Sequence, residues 1–597
     1  MDCSSTAPPQ QMRKGIAAKN ESGFPPLLAA AAALVAVPLA AGIFRVTSHL
    51  PMNLSLALAA VIVLPALTGV VVRYPMRAHG ISTSPLALLL AAAASTLFVL
   101  RMYHPNYFGL PSVGGGDAGN HVHWGREFLD RNPAIYHGLV YFYSMTYWSS
   151  LFGLDDSFSV FRAAFYLTSI LSLFIVSVLA VEICSSDSKR IQAVSTLLLV
   201  ALFALPAERI IFPSFHYLQA DGFYPQVASI SVLLLAAAFY VLTEPRLLRV
   251  TLLLSGVVMY RYSYALNLGD ALIASAVVLA IEAKSEPKSS LSKMYATLSV
   301  GAVLLALYCY SRLLPVIELE GAIITVDHNL ILKGLLMLCV GMLAAIFSAN
   351  HITPVSRRLL RLLWFTSSYV FSGVIFQIFY KLYGPSDDYY LQKYFYHETV
   401  LSVCAVIIAA AVLLPELVHS LQGRSKLKTA AISASLIFAF FGMWSINTAL
   451  QPIRVSYQER AAKVSSAKTL MPLSDPFVLE KVTESLNKTG KSFGGFLTPI
   501  WPESNFVNSD LGLYGQLSFY RTGKAGKDDG RCVFWMSAPH DLAEFKRVGG
   551  SALLKRLNKL ADLHGVRKVS YSVPWSTVRQ ELSSVCFSEE LRNVQPQ

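Results

Sequence analysis

The run Gly114-Gly115-Gly116-Asp117-Ala118-Gly119-Asn120-His121-Val122-His123 sets a carboxylate, an amide and two imidazoles within seven residues, directly after an apolar stretch. Its glycines let the backbone approach a ligand closely or take unusual dihedrals. A carboxylate held just outside a bilayer can take the proton from an attacking sugar hydroxyl, the task of a general base. Asn120, His121 and His123 are suited to hydroxyl or phosphate contacts. Asp117 with His121 or His123 is also the one obvious cluster for a divalent cation, although two histidines at spacing two do not form a helical metal pair. The structural alternative for Asp117 is an N-cap, because the segment from about His121 to Leu129 reads as an amphipathic helix. Asn132-Pro133 ends that helix. The aromatic stretch from Tyr136 to Phe152 is of the kind that lies in a membrane interface.

A second group runs Gly384-Pro385-Ser386-Asp387-Asp388-Tyr389-Tyr390-Leu391-Gln392-Lys393-Tyr394-Phe395-Tyr396-His397-Glu398. A helix starting near Tyr389 puts Lys393 and His397 one turn apart on one face. Lys as a point charge and His as a donor would hold a lipid-linked phosphate at the bilayer surface, with Asp387 and Asp388 completing the substrate site. Alternatively Lys393 snorkels to the headgroups while the tyrosines form an aromatic belt. Arg261, inside Met259-Tyr260-Arg261-Tyr262-Ser263-Tyr264, is either a phosphate ligand or an anchor among belt tyrosines. His216, on the loop that also carries Asp221, either lines an acceptor groove or marks a solvated turn.

Apolar runs must position these residues. The chain has 597 residues, 54% hydrophobic and only 14% charged, against about a quarter charged in a soluble protein. Runs near the bilayer-spanning length of about 20 residues recur over the first three quarters. They give about 13 candidate spans: 27–44, 54–72, 84–100, 158–183, 191–206, 224–242, 247–260, 268–282, 294–311, 330–347, 362–380, 396–415 and 429–447. The pair 247–260 and 268–282 is short and reads equally as one broken pair. The first span follows a polar tail with Arg13, Lys14 and Lys19 and lacks a clean cleavage site, so it is not read as a signal peptide.

With that tail, residues 1–24, in the cytoplasm, the loops on the same side carry Arg73 and Arg77, Lys189 and Arg190, Arg246 and Arg249, Lys284 and Lys288, Arg357, Arg358 and Arg361, and Arg424, Lys426 and Lys428. All are basic, as orientation by charge requires. The opposite side receives 101–157, 207–223, 261–267, 312–329, 381–395 and everything after 448. It thereby collects Asp117, His121, His123, Asp155, Asp156, His216, Asp221, Arg261, Asp327, Asp387, Asp388, Lys393, His397 and Glu398. The net charge of +13 reflects the same loop bias; no basic run is interleaved with aromatics as a nucleic-acid surface would be. The spans hold almost no ionisable residues, which favours chemistry at one face over ion-coupled transport.

The remainder, 449–597, is polar and reads as a soluble α/β domain, with helical patterns near 475–487 and 551–563 and a strand-like Val566–Val573. Trp501, Phe506, Tyr514, Phe519 and Tyr520 suit either a core or a sugar-stacking surface. Cys532 and Cys586 lie there and can pair if the domain is extracytoplasmic. Cys184, Cys309, Cys339 and Cys404 lie in apolar spans as small hydrophobes. No cysteine spacing resembles a zinc site.

This layout resembles the GT-C superfamily of glycosyltransferases. Its members are polytopic, draw sugars from polyprenyl or dolichyl phosphate, place a catalytic Asp in the first large outer loop ahead of interfacial helices, and in many cases end in a soluble extracytoplasmic domain. Asp117 stands where that Asp stands. More narrowly, the loop from Gly115 to His121, the run from Asp387 to Lys393 and the terminal domain resemble the galactan arabinofuranosyltransferases of arabinogalactan assembly. The resemblance implies inverting transfer of a sugar, arabinofuranose in the narrower likeness, from a polyprenyl-phosphate donor to a glycan acceptor at the outer face of the cell membrane, with membrane lipids as surroundings. One departure is that three spans precede the loop where members carry one. Either the first two are an added hairpin or the functional loop lies elsewhere.

The expected architecture is therefore a mainly α, polytopic helical membrane protein: a cytoplasmic tail, a transmembrane module over 25–448, and an extracytoplasmic α/β domain over 449–597. A lipid-linked saccharide flippase and a noncatalytic glycan-binding scaffold are the alternative functions for the same layout.

Overall fold

The computed structural model describes residues 24–74, 93, 95–100, 128, 140–150, 157–184, 208–220, 223–285, 289–313, 326–349, 353–383, 389–422 and 426–466. The helices are α1 Pro26–Ser48, α2 Met52–Arg73, α3 Val140–Ser150, α4 Ser157–Cys184, α5 Glu208–Ala220, α6 Tyr224–Leu242, α7 Arg246–Arg261, α8 Leu268–Ser285, α9 Ser290–Leu313, α10 His328–Ser348, α11 Pro354–Tyr383, α12 Tyr389–Gln422 and α13 Lys426–Ser466. A 3₁₀ turn, Ala265–Asn267, leads into α8. Among the described residues ten helices are long and apolar enough to cross a membrane, and no β-strand occurs. The chain is thus mainly α and polytopic.

Most expected spans coincide with helices. The runs at 84–100 and 191–206 fall largely or wholly outside the described residues. The run at 247–260 is α7, separate from α8; its 16 residues rise only about 24 Å, short of a ~30 Å hydrocarbon core. Two expectations need correction. The loop given to His216 is the helix α5, because Ile210, Ile211, Phe215 and Leu218 recur at helical spacing and are buried, where α5 packs on α12 and α13. The boundary at 448 falls inside α13, which continues to Ser466; the α/β domain expected beyond, with Cys532 and Cys586, lies outside the described residues.

α6 is the axis of the bundle. Every residue from Tyr224 to Leu242 is buried, and the helix is flanked by α3, α4, α7 and α11. By contrast α2 and α9 are largely uncovered, with apolar side chains such as Val61, Ile62, Leu304 and Leu307 facing outward, as lipid-facing helices do. α10 and α13 cross closely at paired glycines. A Cβ added at Gly334 would sit 2.6 Å from Ile446 Cγ1 and 2.9 Å from the Gly442 carbonyl, and one at Gly442 would sit 2.8 Å from the Gly334 carbonyl. Helices without a hydrophobic drive between them associate through such close backbone contact. Gly442→Leu is therefore expected to lower the melting temperature of the detergent-solubilised protein sharply, whereas Gly301→Leu, where nothing lies within 4 Å, should leave it unchanged.

At one end of the bundle, charge is paired. Arg249 makes two-toothed contact with Glu282, its Nη2 at 2.8 and 2.9 Å from the two carboxylate oxygens, and Arg246 Nε adds a bond of 3.0 Å. The remaining Arg249 nitrogen donates to the carbonyls of Thr243 and Glu244. Glu244 accepts from Arg358 at 3.1 Å and Arg361 at 3.3 Å, and Arg358 also donates to the Glu182 carbonyl at 2.7 Å. The network joins α4, the α6–α7 turn, α8 and α11, so loops that the charge pattern assigned to one side do converge.

Burial alone would push the Glu244 carboxyl up; the guanidinium groups of Arg361 and Arg358 outweigh it and hold it below the usual carboxylate range. A depressed carboxyl contributes stability that is complete above its unfolded value, near 4.3, and lost as pH falls through the folded one. Glu244→Gln should therefore cost about 3 kcal/mol at neutral pH, since it leaves two buried cations short of a partner. The melting-temperature gap to the parent should close on acidification below about pH 4; a gap independent of pH would contradict this account.

Candidate functional site

The opposite end is polar but built mostly from neutral groups. Its centre is His397 on α12, fully buried. Nδ1 lies 2.6 Å from the Tyr260 hydroxyl, and Nε2 lies 2.9 Å from the Gln226 carbonyl and 3.0 Å from Ser229 Oγ. A carbonyl only accepts, so the network assigns the proton to Nε2, and the Tyr260 hydroxyl donates to Nδ1. The Tyr369 hydroxyl, 3.2 Å from that of Tyr260, can then donate in turn. One imidazole thus ties α6, α7, α11 and α12 together. Both ring nitrogens bond to protein groups, and these contacts position the start of α12.

Lys393 lies one turn earlier and faces the same end of α6. It is 7% exposed, its Nζ is 4.0 Å from the centroid of the Phe223 ring, and its carbonyl accepts from Gln226 Nε2. The buried ammonium rests on an aromatic face instead of reaching outward. Around it, Tyr396 stacks on Tyr217 of α5 with ring centroids 4.8 Å apart. His216 is buried on the same helix beside Phe212, within the packed core and not on a solvated turn. Arg261 does not join this group: it is exposed at the end of α7, over the ring of Tyr262. Asp327 is an N-cap, accepting from the backbone of Asn329 and Leu330 at 3.1 and 3.2 Å.

Asp117, Asn120, His121, His123, Asp387 and Asp388 lie outside the described residues, as does the helix expected from His121, apart from Phe128. The flanks of the Asp117 loop are described. Arg45, near the end of α1, donates to the Phe128 carbonyl at 3.2 Å and to the Leu50 carbonyl at 2.8 Å. The aromatic run after the loop forms α3, whose residues from Val140 to Thr146 are buried. Gly42 makes room for it, since a Cβ there would meet Ser144 Oγ at 2.2 Å and Val140 Cγ1 at 2.3 Å. The Tyr141 amide donates to the Tyr262 carbonyl at 3.2 Å, two residues from the tyrosine that holds His397. The first span is therefore integral to the core, packing on α3, α4 and α6, while α2 packs chiefly on α1.

Two buried carboxylates escaped the sequence reading. Asp270, in the first turn of α8, is fully buried; its Oδ1 accepts from the Tyr310 hydroxyl and from Ser372 Oγ at 3.3 Å. Glu398, assigned above to the outer rim, is fully buried too, and its two oxygens accept from Gln377 Nε2 at 3.0 and 2.8 Å. Each is reached across a glycine: the Tyr310 ring lies on Gly269, and the Glu398 carboxyl lies on Gly373. The available signal was an isolated acid next to glycine or at a polar run's edge, too weak to separate from a loop residue without knowing what faces it.

Fold and site together define a polytopic helical chain with paired charges at one end and a hydrogen-bonded polar cluster at the other. No family model, curated protein or solved structure matches it. Among the described residues no group of three His, Cys, Asp or Glu side chains is placed to hold a metal ion.

If His397 is the tie, His397→Ala removes its bonds to Tyr260, Gln226 and Ser229 and leaves a buried cavity, an expected loss of about 3 kcal/mol although Ser229 still bonds the Gln226 carbonyl and Tyr260 still bonds Tyr369. Combined with Tyr260→Phe, the loss in melting temperature should fall well short of the sum of the single effects. Strict additivity would mean that the two side chains do not act together.

Proposed function

We propose that the chain is an inverting membrane glycosyltransferase of the GT-C kind, moving a sugar from a polyprenyl-phosphate donor to a glycan acceptor on the extracytoplasmic face. The observation that supports this reading is the run of contacts from α3, which follows the Asp117 loop in sequence, to Lys393: Tyr141 to Tyr262, Tyr260 to His397, and His397 one turn from Lys393. On this reading the loop joins the end of the bundle that holds the Lys393 ammonium, opposite the paired arginines.

In the proposed step the Asp117 carboxylate takes the proton of the acceptor hydroxyl, and that oxygen attacks the anomeric carbon. The bond from this carbon to the polyprenyl phosphate breaks, its electron pair leaving with the phosphate. Lys393 stabilises the phosphate charge, Asn120, His121, His123, Asp387 and Asp388 hold sugar or phosphate oxygens, and His397 keeps the start of α12 in place. Arabinofuranose is the sugar suggested by the narrower resemblance. The basic end faces the cytoplasm on this reading, by the charge bias of its loops.

Asp117→Asn is expected to lower transfer in membranes by about 10²-fold to 10⁴-fold with the melting temperature unchanged. Near-normal transfer by a folded variant would remove Asp117 from the role. One observation favours a second reading, a lipid-linked saccharide transporter: Asp270 and Glu398 are acids buried within candidate spans, where ionisable groups commonly mark a transport path. Substrate movement into proteoliposomes without formation of a glycosidic bond would decide for it.

A further inference from the structure

Asp270 and Glu398 lean against the same turn of α11. Ser372 Oγ donates to Asp270, and the Glu398 carboxyl occupies the space where its neighbour Gly373 would carry a Cβ. The two carboxylates act on each other electrostatically. All their hydrogen-bond donors are neutral: Tyr310, Ser372 and Gln377. Among the described residues neither carboxylate is paired with Lys, Arg or His; the arginine pairs of Glu244 and Glu282 belong to the other end, and on α8 Asp270 and Glu282 are separated by about 18 Å of helix rise.

The titratable groups facing the pair from the neighbouring elements are Tyr260 of α7, Tyr264 of the following turn, Tyr310 of α9, Tyr369 of α11 and Tyr394 of α12. None of them brings a positive charge. His397, next to Glu398 in sequence, is held toward α6 and α7 by its own bonds.

A second observation points to what completes the cluster. Asp270 Oδ2 and Gln377 Oε1 are buried and accept from no group among the described residues. Gln377 is 2% exposed, and its amide nitrogen is already on Glu398, so its oxygen belongs to the same cluster. Both atoms are acceptors. Adding a neutral donor would satisfy one of them; adding one positive charge would offer both an electrostatic partner and leave the two carboxylates with a single shared negative charge, spread over neutral donors, in a low-dielectric setting. The oxygen-only donor set suits a hard cation.

We propose that Asp270, Glu398 and Gln377 form a binding site for one monovalent cation, a proton or an alkali ion, inside the bundle. The site rests on neither functional reading above. It is tested on the full-length protein in detergent, by melting temperature between about pH 5 and pH 9 in sodium, potassium or choline chloride at equal ionic strength. A cation bound only by the folded state stabilises it in proportion to occupancy.

In choline the melting temperature should fall as pH rises and the bound proton is lost. If an alkali ion replaces it, sodium or potassium should restore about 3 °C or more at the alkaline end; if only the proton binds, the pH response stands without an alkali response. Asp270→Asn and Glu398→Gln should each flatten whichever response occurs. Absence of both responses in the parent protein overturns the site, as does their persistence in folded variants or a response to magnesium alone. Should the variants fail to fold, infrared difference spectra of the parent decide, because a bound cation must move a carboxyl band with pH or sodium, and a spectrum without one overturns the site.

Discussion

The pairing of arginine with glutamate at one end of the bundle is the constraint on which the other helices depend. Buried guanidinium groups cannot be left unmatched in a low-dielectric interior, so Arg249, Arg358 and Arg361 must find Glu282, Glu244 and backbone carbonyls at the same time. Satisfying them sets the relative height of α4, α6, α8 and α11. The two-toothed Arg249–Glu282 contact fixes orientation as well as distance. With those helices registered at one end, the partners available at the other end follow from their lengths and directions.

What that registration produces at the far end is different in kind. There the hydrogen bonds run through hydroxyls, amides and one neutral imidazole, and they converge on the start of α6, the most enclosed helix. His397 can serve four helices because Tyr260, Gln226 and Ser229 arrive at both of its nitrogens and Tyr369 of α11 bonds to Tyr260 in turn. The same packing leaves Asp270 and Glu398 with neutral donors only. The molecule thus contrasts a charge-neutralised end with an acceptor-rich one, and α3 bonds through Tyr141 to Tyr262 beside the second.

Several features were readable before any coordinates. The span at 224–242 coincides with α6 because its apolar run is bounded by Pro225 at the start and by Thr243, Glu244 and Pro245 at the end, which are poor in bilayer or helix. The convergence of Arg246, Arg249, Arg358 and Arg361 followed from counting alternations. The spacing of Lys393 and His397 placed both on one face of α12. Other features were not readable. His216 passed for a loop residue because Pro213 stands inside the short α5, and its helical burial depends on α12 and α13. Glu398 sits one residue after His397, so a reading by neighbourhood gave it the same surface role.

Hydropathy and charge are local quantities, and they determined that this chain is polytopic and helical and which of its ends is basic. They could also nominate Asp117, Lys393 and His397 by residue type. Only the tertiary structure decided that His397 is an internal tie, that Lys393 is buried against Phe223, that α1 belongs to the core, and that Asp270 and Glu398 share one turn of α11. The reason is physical. A side chain's role depends on whether the partners that meet its donors and acceptors come from water or from helices more than a hundred residues away, and that is decided by packing.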